Sequence, residues 1–236
     1  AWTTTPWTLP SNLGLCVHPD FTYVKIHDTE RDQNFIIHEK LLTTLYKDPK
    51  KAKFKKLAQF QGSDMKDWRY IPLFEYFTEK VCRNHPDLIT GLNPAYVEDK
   101  AFKVLVDTYV SDTDGTGIVH QAPAFGEDDH RVAIANGVLQ PDEMPPCPLD
   151  DKGHFTDEVP DFKGLHIKAA DGPIQKALKA KGRLIIQSTL NHPYPFCWRS
   201  GTPLIYRAIP VWFVKVTPVV DQLVANNEKT RWVPQN

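Results

Sequence analysis

Fifteen residues, Gly115-Thr-Gly-Ile-Val-His-Gln-Ala-Pro-Ala-Phe-Gly-Glu-Asp-Asp129, leave the backbone few choices. Gly115 and Gly117 predict a tight turn, Ile118 to Ala122 a short strand, and Pro123 with Gly126 a second turn. Glu127 to Asn136 then predicts a helix, with acids in its first turn and Gly137 just past its end. Strand parity puts His120 on one face with Ile118 and Ala122, and Val119 and Gln121 on the other. Asp129 falls in the first helical turn, where the positive end of the helix dipole favours its ionised form. An ionised carboxylate there can bind an ammonium group through a charge-assisted hydrogen bond. The stretch holds no Ser or Cys, so a site here recognises a cationic substrate group rather than supplying a nucleophile. Plainer roles stay open: His120 as a satisfied structural residue, and Glu127, Asp128 and Asp129 as helix-start charges. A metal site from His120, Asp129 and His130 matches no standard spacing.

A second constellation is Trp2-Thr-Thr-Thr-Pro-Trp-Thr-Leu-Pro-Ser-Asn12. Its β-branched threonines and two prolines predict an extended segment followed by a turn. In an extended chain Thr3 and Thr5 share a face, Thr4 points away, and Pro6 turns Thr8 back toward the others. Clustered hydroxyls can hold a water or an ester carbonyl. A Thr-rich edge strand anchored by a Trp is the alternative.

The rest of the chain reads as many short strands and few helices. Strands are expected at Phe21 to His27 and Phe35 to His38 (a hairpin), Tyr96-Val97, Phe102 to Val110, Arg183 to Gln187, Pro203 to Ile209 and Val211 to Val216. Helices are expected at Glu39 to Tyr46, at Lys50 to Phe60 with Phe54, Leu57 and Ala58 at helical spacing, after an Asp171 cap with Gly182 as the stop, and at Val219 to Asn227. Residues 62–81 read as aromatic-rich and irregular, 83–95 as a loop, and 140–153 as a surface loop. The pattern predicts a β-rich α+β fold, a β-barrel core surrounded by helices. Segment 39–95 is the least strand-like part and is expected to be a peripheral insertion.

Lys+Arg is 28 against 29 for Asp+Glu, so no global basic field marks a nucleic-acid partner. Lys47 to Lys56 holds six lysines, either a solvated helix face or a phosphate-backbone contact. The four cysteines are far apart with no C-x-x-C, so neither a zinc knuckle nor a redox pair is legible, and a reducing compartment is indicated. No apolar run is long enough to span a membrane. The abrupt ends at Ala1 and Asn236 read as cuts through a longer protein.

Together the threonine block and the 115–129 block resemble the two signature blocks of the editing domain of isoleucyl-tRNA synthetases. Cys197-Trp-Arg-Ser-Gly-Thr-Pro-Leu-Ile-Tyr-Arg207, with Trp212-Phe213, resembles the return strands toward the catalytic core of that family. The three blocks occur in family order and bracket nearly the whole chain. Valyl and leucyl relatives carry a Thr-Thr-Arg-Pro version of the first block, so Thr5-Pro6-Trp7 favours the isoleucyl group. The Pro-Ala-Phe-Gly form and the long segment 39–95 resemble the eukaryotic cytoplasmic members. The resemblance implies the class I Val/Ile/Leu editing-domain fold over 1–236, with 197–236 as the return segment, acting in the cytoplasm.

It further implies hydrolysis of mischarged Val-tRNA(Ile), and of valyl-adenylate, without cofactor, metal or covalent nucleophile. Thr4, Thr5 and Asp129 would carry the chemistry, with Asp129 on the substrate α-ammonium. His120 would line the side-chain pocket. Trp2, Thr3, Thr8 and Asn12 would help bind the ester and terminal adenosine, and Trp7 and Tyr194 would flank the adenosine. The implied partners are the tRNA(Ile) 3′ acceptor end, the valine moiety and the catalytic body of the same synthetase, with no membrane. Ser200 stands where some members have a zinc-ligating Cys, so no zinc is expected. The ATP-binding signatures are absent, so no isoleucine activation is expected. The competing reading is a non-catalytic tRNA-docking module using the Lys47–Lys56 face.

Overall fold

The computed structural model describes residues 1–49, 51–77, 100–189 and 193–233. The loop expected at 83–95 and the strand expected at Tyr96-Val97 lie outside them. Two three-stranded sheets form the centre. In the first, β1 (Gly14–Val17) lies in the middle, and Cys16 and Val17 on it are fully buried. The expected hairpin is present as β2 (Thr22–Asp28) and β3 (Gln33–His38), paired from Asp28↔Gln33 to Tyr23↔His38. After a 3-10 turn and the four-residue helix α1 (Leu42–Leu45), β4 (Phe54–Gln61) adds antiparallel to the other edge of β2, completing the second sheet in the order β3-β2-β4. The first sheet is finished by β5 (Lys103–Val106), parallel to β1, and β6 (Ile118–Gln121), antiparallel to it, with Leu15 opposite His120.

Three helices follow: α2 (Glu127–Ala135), α3 (Ile167–Ala180) and α4 (Val220–Glu228). On α3 the buried residues Ile167, Ala170, Ile174 and Leu178 recur at helical spacing and form one stripe. That stripe packs with Trp7, Phe74, Phe77, Leu149, Phe155 and Phe162 in one core cluster. Fully burying each such aliphatic side chain is worth about 1.5–3 kcal/mol, so this contact fixes the threonine block against α3. Among the described residues no helix is long and apolar enough to cross a membrane.

Several expectations are corrected. The expected α+β fold is present, but its two sheets do not close into a barrel among the described residues. Lys50 to Phe60 is not helical. Phe54, Ala58 and Phe60 face inward on β4, and a register shift opposite Lys25/Ile26 leaves Leu57 unpaired. That bulge inserts one residue into the alternation and imitates a helical interval. Residues 54–77 thus supply a strand and the buried Met65, Phe74 and Phe77.

The turn expected after the extended threonines is a 3-10 helix, Pro6–Ser11. Proline at a first helical position removes only an N–H that would have no partner, so Pro6 can start the helix. Asp171 does not cap α3, which begins four residues earlier with His166 as its N-cap; Asp171 lies within the helix.

Arg183 to Gln187, Pro203 to Ile209 and Val211 to Val216 carry strand-like residues but form no ladder among the described residues. Most of their apolar side chains face outward, with Trp212 102% and Phe213 86% exposed, while Leu184 and Ile205 pack against the core cluster of α3. A strand needs a partner to satisfy its backbone, and apolar pattern alone supplies none. The 140–153 loop is only partly at the surface, since Leu149 is buried and bridges Phe155.

Candidate functional site

Between the threonine block and the 115–129 block lies a cavity of about 310 Å³. Trp2, Thr3, Thr4, Thr5, Thr8, His120 and Asp129 all line it, joined by Thr116, Ile118, Ala122 and Phe125. Two local devices create the threonine row. Trp2 bridges to Val119 at the outer side of β6, which brings the N-terminal segment alongside that strand. The 3-10 turn then returns Thr8, so that Thr5 Oγ1 lies 3.3 Å from both Thr3 Oγ1 and Thr8 Oγ1. The predicted sharing of a face by Thr3 and Thr5, with Thr8 rejoining, therefore holds, whereas Thr4, expected to point away, also lines the cavity.

His120 is 7% exposed and held at both ring nitrogens. Nε2 lies 3.0 Å from Thr8 Oγ1, and Nδ1 lies 2.8 Å from the side-chain amide nitrogen of Asn12. Burial lowers its pKa to about 4, so the ring is neutral at physiological pH. The carboxylate of Asp129 accepts the backbone N–H of Ala122 at 2.8 Å, tying the start of α2 to the end of β6. The sequence predicts an Asp129 favoured in its ionised form by the helix end. Burial outweighs that effect and the Ala122 hydrogen bond, raising its pKa to about 6. A buried carboxylate with one N–H partner has acceptor capacity left, which an ammonium group would satisfy.

Room for this carboxylate depends on Gly126. A Cβ on that residue would lie 2.8 Å from Asp129 Cγ. The backbone there has φ −135°, open to any residue, so the constraint is space alone. Gly126→Ala is expected to leave the fold intact and swing the carboxylate off Ala122. Titration calorimetry with a ligand bearing an α-ammonium should then read about 10–100-fold weaker binding, the cost of one charge-assisted hydrogen bond. Unchanged affinity would remove Asp129 from the binding site.

Other expected residues are placed elsewhere. Trp7 is in the core, edge-on to Phe125 at 4.9 Å, and does not line the cavity. Its backbone N–H donates to Asp171 Oδ1 at 3.0 Å, so Asp171 pins the threonine block to α3. Asn12 is buried behind His120. Tyr194 lines a second cavity of about 470 Å³ with His166, Lys168 and Arg207, and Lys168 Nζ lies 4.2 Å from its ring centre. Sequence reading missed Thr116, Phe125, Tyr70 and Asp171. Only Thr116 carried a signal, its position between two turn glycines. Among the described residues no group of three or more His, Cys, Asp or Glu side chains is placed to hold a metal ion.

No family model matches the chain. It is 49% identical over 234 residues to the cytoplasmic isoleucine–tRNA ligase of Saccharomyces cerevisiae, covering 99% of this chain and 20% of that one. To the cytoplasmic isoleucine–tRNA ligase of Mus musculus it is 50% identical over 235 residues, 100% of this chain and 17% of the relative. To the isoleucine–tRNA ligase of Protochlamydia amoebophila it is 40% identical over 236 residues. The chain spans about a fifth of the length of these relatives. A solved structure described as GlLeuRS-CP1 matches 80% of this chain and 83% of its own, with TM-score 0.53 and 17% identity, a likeness of fold alone.

Proposed function

Because the chain belongs with the isoleucine–tRNA ligases, as the counterpart of a segment about one fifth of their length, we propose that it is the editing domain of such a synthetase. Its reaction on this reading is hydrolysis of the ester of mischarged Val-tRNA(Ile), and of valyl-adenylate. The observation that carries it is the cavity where a row of threonine hydroxyls and one buried carboxylate meet. A valyl ester brings one group for each: an ammonium for Asp129, a branched apolar side chain for the wall of Ile118, His120 and Ala122, and an ester carbonyl for the hydroxyls. Thr3, Thr4, Thr5 and Thr8 position that ester and the attacking water. Trp2, 37% exposed at the rim, and Tyr194, on the second cavity, are the residues proposed toward the terminal adenosine.

One missing methylene is worth about 1–3 kcal/mol of discrimination. Isoleucine against valine on this class of synthetase is the general illustration of that limit, so the figure is not a property read from this chain. A second, smaller pocket that hydrolyses what passes the first restores accuracy. The word cytoplasmic in the relatives' names supports action in the cytoplasm. The exposed Trp212, Phe213 and Val214 support a return segment over 197–236 that packs on the catalytic body of the same synthetase. Among the described residues no observation favours docking of tRNA through Lys47–Lys56. Lys51, Lys53 and Lys56 pair with Asp48, Glu30 and Glu39, which reduces the free positive charge of that face.

The direct test is a deacylation assay with Val-tRNA(Ile) and Ile-tRNA(Ile), beside binding of a non-hydrolysable valyl-adenosine analogue. Hydrolysis of the valyl ester with sparing of the isoleucyl ester is expected; equal inertness to both would overturn the proposal. His120→Ala should enlarge the apolar wall and lower the valyl-to-isoleucyl rate ratio by about 10-fold or more, the worth of one to two methylenes. The ratio is the readout because loss of the Thr8 contact also lowers both rates. A variant that spares the isoleucyl ester as the parent does would exclude His120 from the wall.

A further inference from the structure

Behind the cavity runs a chain of hydrogen bonds whose proton directions are determined from Tyr70 as far as Thr8. The Tyr70 hydroxyl lies 2.5 Å from Asn12 Oδ1 and must donate to it, because a carbonyl oxygen only accepts. Asn12 Nδ2 donates to the Gly14 carbonyl at 2.8 Å, which fixes which end of the amide is nitrogen. Its second hydrogen goes to His120 Nδ1, also 2.8 Å away and much nearer than the Gln121 carbonyl at 3.5 Å. A nitrogen that receives a hydrogen bond cannot itself carry the proton, so the neutral ring is protonated on Nε2. Nε2–H then donates to Thr8 Oγ1, and the one hydroxyl hydrogen of Thr8 goes to the Thr5 carbonyl at 2.8 Å. Thr8 Oγ1 is left as an acceptor toward the Thr5 hydroxyl.

We propose that Tyr70 and Asn12 are positioning residues that hold His120 in its neutral, Nε2-protonated form and thereby set the direction of the threonine row. Neither touches the cavity; both act through His120. In the opposite tautomer Nε2 would become an acceptor, Thr8 would turn its proton to it, and the Thr5 carbonyl would keep only the Thr8 backbone N–H at 3.0 Å. The charged groups around the ring are the Asp129 carboxylate, which shares the cavity, and the amino group of Ala1. The consequence for catalysis rests on the hydrolase reading; the proton direction does not.

The test separates the two. In the 236-residue chain labelled with 15N-histidine, long-range correlation spectra should place His120 Nδ1 in the unprotonated range and Nε2 in the proton-bearing range, unchanged down to about pH 5. An Nδ1–H ring, or one that titrates near an ordinary histidine value, overturns the proposal whatever the hydrolysis assay reads. Asn12→Asp replaces the donor with an acceptor. It should convert His120 to the cation at neutral pH and give kcat for the valyl ester a pH-dependent limb absent from the parent. Tyr70→Phe should lower kcat about 5–10-fold with KM little changed, the worth of one hydrogen bond. If Asn12→Asp changes the ring but not the kcat profile, the positioning role is wrong while the hydrolase reading stands. If the parent itself hydrolyses nothing, the hydrolase reading fails and the tautomer measurement alone decides this one. That measurement on the parent also decides the matter if either variant fails to fold.

Discussion

Asp129→Asn lowers hydrolysis of the valyl ester by on the order of 100–1,000-fold, with the fold unchanged. Removing one partner of a buried ion pair costs about 3–5 kcal/mol, because the other charge is left without compensation. Here the stranded charge would be the substrate ammonium. Asparagine is the informative replacement: its carbonyl can still accept the Ala122 N–H, which Asp129 accepts at 2.8 Å, so the β6–α2 turn stays closed. A valyl analogue without the ammonium should bind parent and variant alike. Deacylation rates and thermal unfolding of both proteins check this, and an unimpaired variant would end the assignment of Asp129.

The same residue fixes a pH dependence. Its pKa is raised in the folded chain from the ordinary 3.8 to about 6, mainly by burial. Its contribution to folding is therefore most favourable below about 3.8 and is lost as pH rises through about 6. An ammonium ligand binds the ionised form, so its affinity should climb through that same upper window and level off above it. Asp129→Asn should flatten the climb.

Gly62→Ala destabilises the chain by about 3 kcal/mol or more, near the upper end of overpacking costs. A Cβ there would lie 1.9 Å from the His18 carbonyl oxygen, a backbone atom with no rotamer to escape into. The close approach is held by two backbone bonds, Gly62 N–H to Phe21 O and Ser63 N–H to Pro19 O, both 2.9 Å. They join the end of β4 to the link between β1 and β2, and so one sheet to the other. For a chain of this size the loss corresponds to a fall in Tm of about 6–12 °C. Urea and thermal unfolding measure it, and a Tm within about 2 °C of the parent would mean that the two segments are not in this contact.

Much of the site was legible because its pieces are local. Gly115 and Gly117 do take positive φ, 71° and 69°, around the turn before β6. The parity of β6 gave the face of His120, and the acids before the α2 repeat gave the position of Asp129. What failed was anything that needed a partner. Arg183 to Gln187 and Val211 to Val216 have the composition of strands and join no ladder among the described residues. The bulge at Leu57 disguised β4 as a helix because period is read along one chain, whereas a bulge exists only relative to a neighbour. The family resemblance implies Trp7 beside the adenosine, whereas packing places it in the core with Phe74 and Phe162.

By itself the sequence determined the turn, strand and helix that carry His120 and Asp129, since glycine φ, strand parity and helix-end charge are properties of a few consecutive residues. Only the tertiary structure decided that the threonine row faces them across one cavity. It likewise decided that burial holds Asp129 near 6 and His120 near 4. It also decided that Asn12 and Tyr70, 58 residues apart, stand behind the ring. Desolvation and proton direction are set by what surrounds a group in space, and that environment is assembled from segments whose separation along the chain no local rule can bridge.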